Sequence, residues 1–282
     1  MSAIVTLTTD FGTRDAYVAE MKGVILDIVG GAGRADQLVD VTHEVAAHDV
    51  TEAALALDAA APYFPAGTIH VAVVDPGVDT ARRGLVVQTA RAVLIGPDNG
   101  LFTPFFEAGA AWTAWELRAL EYRLPSVSRT FHGRDVFAPA AAHVAIGVPP
   151  ELFGPRVIDP RRLPWPTVRA VAGAFAGAVV HVDRFGNLVT SIRADALAEI
   201  GSPARIRLGG RTLPLVGTYG ELAPGQAGAL IGSSGRLEVA VREGSAAARF
   251  KARRGTPVVV RGTPAAVSRS SAPGTKRARR TL

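Results

Sequence analysis

Over its first 150 residues the chain alternates short apolar runs with alanine-rich stretches of helical period, and that alternation admits few folds. Residues 4–9, Ile-Val-Thr-Leu-Thr-Thr, read as a strand, followed by a helix over 17–29. Residues 38–41 and 69–74 read as further buried strands, separated by a helix over about 49–61. Such alternation belongs to a mainly parallel sheet with helices on its faces, in which polar residues just past the strand ends line the ligand crevice. Asp10 follows the first strand and Asp75 the third, so the pattern predicts two carboxylates on one rim.

The pattern then changes. Residues 154–166 hold four prolines and no helical period, and beyond them short strand-like runs (174–182, 205–208, 212–216, 229–231, 236–241, 257–261) alternate with glycines. We therefore expect an α/β N-terminal domain over 1–153, a linker over 154–168, a smaller all-β, barrel-like C-terminal domain over 169–262 and a basic, disordered tail over 263–282. No repeat of fixed period is present. Of the net charge of +6, five charges sit in that tail as Arg269, Lys276, Arg277, Arg279 and Arg280 with no acid, so the body is near neutral. A nucleic-acid role is thus not expected, apart from nonspecific contact of the tail with a polyanion. No apolar run reaches the roughly 18 residues of a membrane span, and residues 1–10 lack the basic stretch that opens a secretion signal. A cytoplasmic protein is expected.

The absence of cysteine excludes a disulfide framework, cysteine-ligated metal and a thiol nucleophile, leaving oxygen and nitrogen chemistry. His43-Glu44-Val45-Ala46-Ala47-His48 approaches a zinc-protease helix, but with histidines five apart they would point about 140° apart on a helix, and no metal is expected there. His70, His143 and His181 lie singly in apolar segments and read as core groups. Gly30-Gly31-Ala32-Gly33 lacks the phosphate-loop and dinucleotide patterns and reads as a turn, as does Pro97-Asp98-Asn99-Gly100. Four segments combine glycines with acids, bases and aromatics: 8–15 (Thr-Thr-Asp-Phe-Gly-Thr-Arg-Asp), 74–82 (Val-Asp-Pro-Gly-Val-Asp-Thr-Ala-Arg), 130–135 (Thr-Phe-His-Gly-Arg-Asp) and 183–187 (Asp-Arg-Phe-Gly-Asn). Singly each is a loop; together they look like a site.

With Gly232-Ser233-Ser234-Gly235-Arg236-Leu237-Glu238-Val239-Ala240, these segments resemble, in order and over residues 4–262, the S-adenosyl-L-methionine (SAM) hydroxide adenosyltransferases, SAM hydrolases related to the fluorinating and chlorinating SAM enzymes. The resemblance implies the α/β domain joined to a C-terminal β-barrel, and a homotrimer with each site between the N-domain of one subunit and the C-domain of its neighbour. It implies cleavage of SAM by water at ribose C5′, giving adenosine and L-methionine, with SAM as substrate and no cofactor. Asp75, Arg82 and His132 match the catalytic triad, and Pro76-Gly77 could turn Arg82 back toward Asp75; whether Asp75 or His132 takes the proton stays open. By the same matching Asp10 holds the ribose hydroxyls, Asn187 reads the adenine edge, and Phe131 and Phe185 lie near adenine or ribose. Asp183 is expected on the α-amino group, Ser233 and Ser234 near the carboxylate, and Glu238 and Val241 about the purine. Two alternatives stand beside hydrolysis: a SAM-dependent halogenase, and a non-catalytic SAM or adenosine sensor. Where the halogenating relatives carry Tyr, Thr and Ser about the halide, this chain has Asp75, Val78 and Gly133.

Overall fold

The computed structural model describes residues 3–262, apart from 166, 172–173 and 201–204; the expected basic tail, 263–282, lies outside the described residues. The chain divides into two compact units between residues 165 and 166.

The first unit runs β1 (Ile4–Thr9), α1 (Tyr17–Gly31), β2 (Gln37–Thr42), α2 (Val50–Ala60), β3 (Thr68–Val73), β4 (Gly84–Thr89), β5 (Ala92–Pro97), α3 (Thr103–Glu107), β6 (Trp112–Glu116), α4 (Ala138–Ala145) and β7 (Arg156–Val157). Its seven-stranded sheet has the order β2-β1-β3-β5-β4-β6-β7. The first four are parallel, as the β/α alternation requires; β4, β6 and β7 run antiparallel on the other side. β3 is buried along its whole length because helices cover both faces. Val18, Met21, Ile25 and Val29 form the buried stripe of α1, packed with α4 on one face, while Ala53 and Leu57 of α2 pack with Val74, Leu94 and Phe102 on the other. The proline-rich segment after 154 is tied to this unit as far as Leu163: β7 pairs with β6, and the Arg161 and Leu163 amides donate to Asp98 Oδ1 (2.7 Å) and Thr103 Oγ1 (2.8 Å).

The second unit runs β8 (Arg169–Val171), β9 (Ala174–Val182), β10 (Leu188–Arg193), α5 (Ala194–Ile200), β11 (Arg205–Leu208), β12 (Arg211–Pro214), β13 (Ala227–Ile231), β14 (Arg236–Val241), α6 (Ala246–Phe250) and β15 (Pro257–Arg261). The antiparallel order is β12-β11-β15-β9-β10-β14-β13, with β8 added on β9. The Val216 amide donates to Ala229 O (2.8 Å) and brings the end of β12 onto β13, curling the sheet into a nearly closed barrel around Leu188, Ile206, Leu208, Leu237, Val239 and Val258. The short helices α5 and α6 go beyond the all-β reading; α6 starts where Ser245 Oγ accepts from the Ala248 amide (3.1 Å), a cap that overrides its glycine-bounded surroundings. Among the described residues no helix is long and apolar enough to cross a membrane.

His70 of β3 is 1% exposed, bonded to Thr6 Oγ1 through Nδ1 (2.7 Å), and burial pushes its pKa down to about 4. The unfolded chain takes up this proton near pH 6.5, so stability from a neutral His70 is present above that pH and lost as pH falls toward 4. The loss is about 3 kcal/mol at 1.4 kcal/mol per pH unit. Chemical denaturation at pH 7 and pH 4 should show that part of the acid loss missing in His70→Asn; an equal loss in both proteins would contradict it.

Candidate active site

In the first unit, Thr9 of β1 and Val73 of β3 stand side by side in parallel register, so Asp10 and Asp75 emerge on one rim. Between them lies a cavity of about 340 Å³ whose walls include Asp10, Tyr17, Asp75, Val78, Phe131 and His132. The loop after β3 doubles back through two tight turns, Val78 N to Asp75 O (3.2 Å) and Thr80 N to Gly77 O (3.2 Å), with Asp79 at φ +58°. This brings Arg82 onto Asp75. Arg82 Nε donates to both carboxylate oxygens at 3.0 Å and Nη2 donates to Oδ2. The side chains are only 8% and 6% exposed, so the two-pronged pair is shielded from water. The guanidinium also lies 5.2 Å from the Phe137 ring centre.

Arg82 Nη2 also reaches His132 Nδ1, at 2.8 Å. A guanidinium has donors only, so Nδ1 is the acceptor and the hydrogen of the neutral imidazole sits on Nε2. Burial, then the charge of Arg82, lowers the His132 pKa against the opposing pull of Asp75 and Asp79, which agrees with a neutral ring. The loop carrying His132 is anchored by the fully buried Asp135, which accepts from the Ser128 amide (2.7 Å) and from Arg134 Nε (2.6 Å). Arg134 Nη1 continues to Glu20 Oε2 (2.7 Å), and its guanidinium sits 5.2 Å from the Phe131 ring. Gly133–Phe137 is a π-helical turn leading into α4. A Cβ on Gly133 would stand 3.1 Å from Phe131, 3.3 Å from Met21 Sδ and 3.4 Å from Phe11, so this close approach leaves little room for a side chain. Phe131 meets Phe11 and Tyr17 edge-on, with ring centres 5.6 and 5.2 Å away. Asp10 Oδ2 accepts from the His48 amide (2.9 Å).

The histidine pair 43/48 lies ahead of α2 rather than on it: His43 Nδ1 is bonded to Thr9 Oγ1 (2.8 Å), and His48 has φ +66°. Helical spacing therefore does not govern the pair. Among the described residues, no three His, Asp or Glu side chains form a metal-binding group.

In the second unit a cavity of about 590 Å³ is bounded by Asp183, Phe185, Asn187, Ser233, Glu238 and Val241. Asp183 organises the β9–β10 turn: Oδ1 accepts from the Phe185 and Asn187 amides (2.9 and 2.8 Å), and Oδ2 from Asn187 Nδ2 (2.9 Å). Gly186, at φ +82° with its Cα against Ser245, is required there. Phe185 is left 78% exposed. Glu238 is 7% exposed and accepts from Tyr219 Oη (2.8 Å); burial, with Asp183 adding, pushes its carboxyl up, while burial and Glu238 push the Tyr219 phenol up to about 12. Gly232 packs directly on the Glu238 carboxylate, where no side chain fits unless Glu238 moves. Ser234 is not on the cavity wall; its Oγ is buried without a partner among the described residues. Tyr219 was not among the residues expected from the sequence, since it stands in no recognisable motif. The expected residues thus fall into two groups, Asp10, Asp75, Arg82, Phe131 and His132 in the first unit and the remainder in the second.

The profile of the SAM hydroxide adenosyltransferase N-terminal domain matches residues 5–154, and that of the C-terminal domain matches 177–259. The chain belongs to this family. An (R)-S-adenosyl-L-methionine hydrolase of Thermus thermophilus is 42% identical over 89% of this chain and 96% of its own length. A fluorinase of an Actinoplanes species is more distant, 29% identical over 91% of this chain and 97% of its own. The crystal structure of an uncharacterized conserved protein from Thermotoga maritima superposes with a TM-score of 0.84 at 32% identity, covering 91% of this chain and 99% of the other. Each of the two cavities lies in one of the adenosyltransferase family's two domains.

Proposed function

We propose that this chain hydrolyses SAM to adenosine and L-methionine by attack of a water molecule on ribose C5′, the (R) form being the one in the relative's name. The observation that carries this reading is that Asp75 and His132 both line one cavity and are joined behind its wall by hydrogen bonds through Arg82. The sulfonium leaves as a neutral thioether, so the leaving group needs no acid; orienting and deprotonating water is the demanding step. His132 Nδ1 is occupied by a donor and Nε2 carries hydrogen, so this ring serves as a donor to the water oxygen. Asp75 is then the group that takes the water proton, and Arg82 holds it and favours hydroxide-like charge. Neither metal nor organic cofactor is required, because the substrate brings its own leaving-group activation.

For the substrate, Asp10 is assigned to the ribose hydroxyls, with Phe131 and Phe185 near adenine or ribose. Asn187, Glu238 and the Val241 backbone are assigned to the purine. Asp183 takes the α-amino group and Ser233 the carboxylate; Ser234, off the cavity wall with its Oγ buried, is given no contact. Following what the family resemblance implies, we place each complete site between the N-domain of one subunit and the C-domain of its neighbour in a homotrimer, and the protein in the cytoplasm. Against a halogenase, an incoming halide would face the Asp75 carboxylate on the cavity wall, a like charge that the Arg82 ion pair offsets only in part. The crowding around Gly133 also disfavours a halide-contacting serine there.

The test is incubation of the protein with SAM in ¹⁸O-water without halide. One ¹⁸O in the 5′-hydroxyl of adenosine is expected. Halodeoxyadenosine formed only with added halide would replace this reading with halogenation, and binding without product would leave a sensor.

A further inference from the structure

The Pro97-Asp98-Asn99-Gly100 segment does more than turn the chain after β5: its two central residues grip both ends of the loop that carries Asp75 and Arg82. Asn99 Nδ2 donates to Val74 O at 2.8 Å, immediately before Asp75. Asp98 Oδ2 accepts from Arg83 Nε (2.8 Å), immediately after Arg82, and stands 2.7 Å from Arg83 Nη2 in an ion pair, while the Asp98 amide donates to Arg83 O at 2.9 Å. The grip is itself held. Asp98, 3% exposed, takes the Arg161 amide on Oδ1 (2.7 Å), and Arg83 Nη1 and Nη2 reach Asp159 Oδ1 (2.8 Å) and O (2.9 Å). Asn99 Oδ1 accepts from the Leu101 amide at 3.3 Å. Gly100, at φ +97°, has no room for a Cβ, which would stand 2.7 Å from Leu163 Cγ and 2.9 Å from its amide nitrogen.

A tight turn needs the positive φ of Gly100, yet it needs neither a buried carboxylate on Arg83 nor an amide donor on Val74. We infer that Asp98 and Asn99 are positioning residues for hydrolysis: by fixing the backbone at Val74 and Arg83 they set the span across which Arg82 joins Asp75 to His132. This rests on the function proposed above. Between those two anchors the loop meets the His132 segment through the buried Arg82 and through the solvent-exposed Asp79–Arg129 pair, and the exposed pair is the weaker hold; releasing either end therefore lets the Arg82 guanidinium drift from Asp75, from His132, or from both. A displacement near 1 Å is enough to cost about 10²-fold in rate.

The experiment uses the full chain and three variants, Asn99→Ala, Asn99→Asp and Asp98→Asn. It measures kcat and KM for SAM, melting temperature, and the titration of His132 by NMR on ¹³C-histidine-labelled protein. Expected for Asn99→Ala and Asp98→Asn are a kcat lower by about 10- to 100-fold, a KM within about threefold of wild type, and a His132 midpoint that moves up toward the ordinary 6.5 as Arg82 leaves Nδ1. Asn99→Asp keeps the turn and the volume but replaces the donor with a carboxylate, so its kcat should fall as in Asn99→Ala; it also carries the test if the alanine variant does not fold. A lowered melting temperature with kcat within twofold of wild type and an unmoved His132 midpoint would show a purely structural turn and overturn the inference. Failure of the wild-type protein to hydrolyse SAM would instead sink the proposed function, and the His132 titration would still report on the grip.

Discussion

Asp75→Asn should lower kcat for SAM hydrolysis by about 10³-fold, the middle of the range for loss of a positioned general base, with adenosine affinity changed by no more than a few fold. The substitution is nearly isosteric and keeps one oxygen for Arg82, so the loop retains its shape. It removes the carboxylate to which the tautomer of His132 leaves the water proton. It also leaves a guanidinium that is 8% exposed without its counter-charge, at a cost of about 3–5 kcal/mol, which a domain in the upper part of the ordinary stability range survives. Single-turnover rates with SAM, together with calorimetric titration of adenosine, separate the two effects. A kcat within tenfold of wild type would remove Asp75 from the chemistry and return the proton to His132.

The second large effect concerns where the site is assembled. A subunit carrying Asp75→Asn lacks the hydrolytic half, and one carrying Phe185→Ala with Asn187→Ala lacks two groups of the second cavity. Phe185 is largely exposed and the Asn187 side chain donates to Asp183, whose bonds to the Phe185 and Asn187 amides remain, so the second variant should fold. Each protein alone should be nearly inactive at low SAM. If sites form between neighbouring subunits of a ring, equal co-expression gives about one site in four with both halves intact, and about a quarter of wild-type activity returns. If each site forms within one subunit, no mixed assembly contains an intact one and no activity returns. The measurement is kcat/KM of the co-purified mixture, with the two subunits carrying different tags.

How far the site was legible in the sequence differs from residue to residue, for physical reasons. Asp10 and Asp75 are readable as rim residues because parallel neighbours end together, and strand ends are marked by where apolar runs stop. Arg82 and His132 are readable as candidates only by their company and their family resemblance, since a contact over 50 residues has no local signal. Tyr219 had no signal: a tyrosine in a Gly-Thr-Tyr-Gly loop gives no sign that its hydroxyl meets Glu238 on a strand 19 residues later. The Asp98-Asn99 pair reads correctly as a turn, and its turn-forming chemistry conceals the contacts to Val74 and Arg83.

The amino-acid order determined the chemistry on offer and the layout of the two folds: no thiol, carboxylates at the ends of adjacent parallel strands, and a switch from helix-spaced to glycine-spaced apolar runs. Those features follow from periodicity and residue type, which are local properties. Only the tertiary structure decided that one guanidinium nitrogen joins Asp75 to His132 Nδ1, and hence which imidazole nitrogen holds the hydrogen. It likewise placed both ends of the hydrolytic loop on two consecutive residues. Hydrogen bonds depend on distances and angles within tenths of an ångström, and between distant segments these are set by how the sheet and its loops pack.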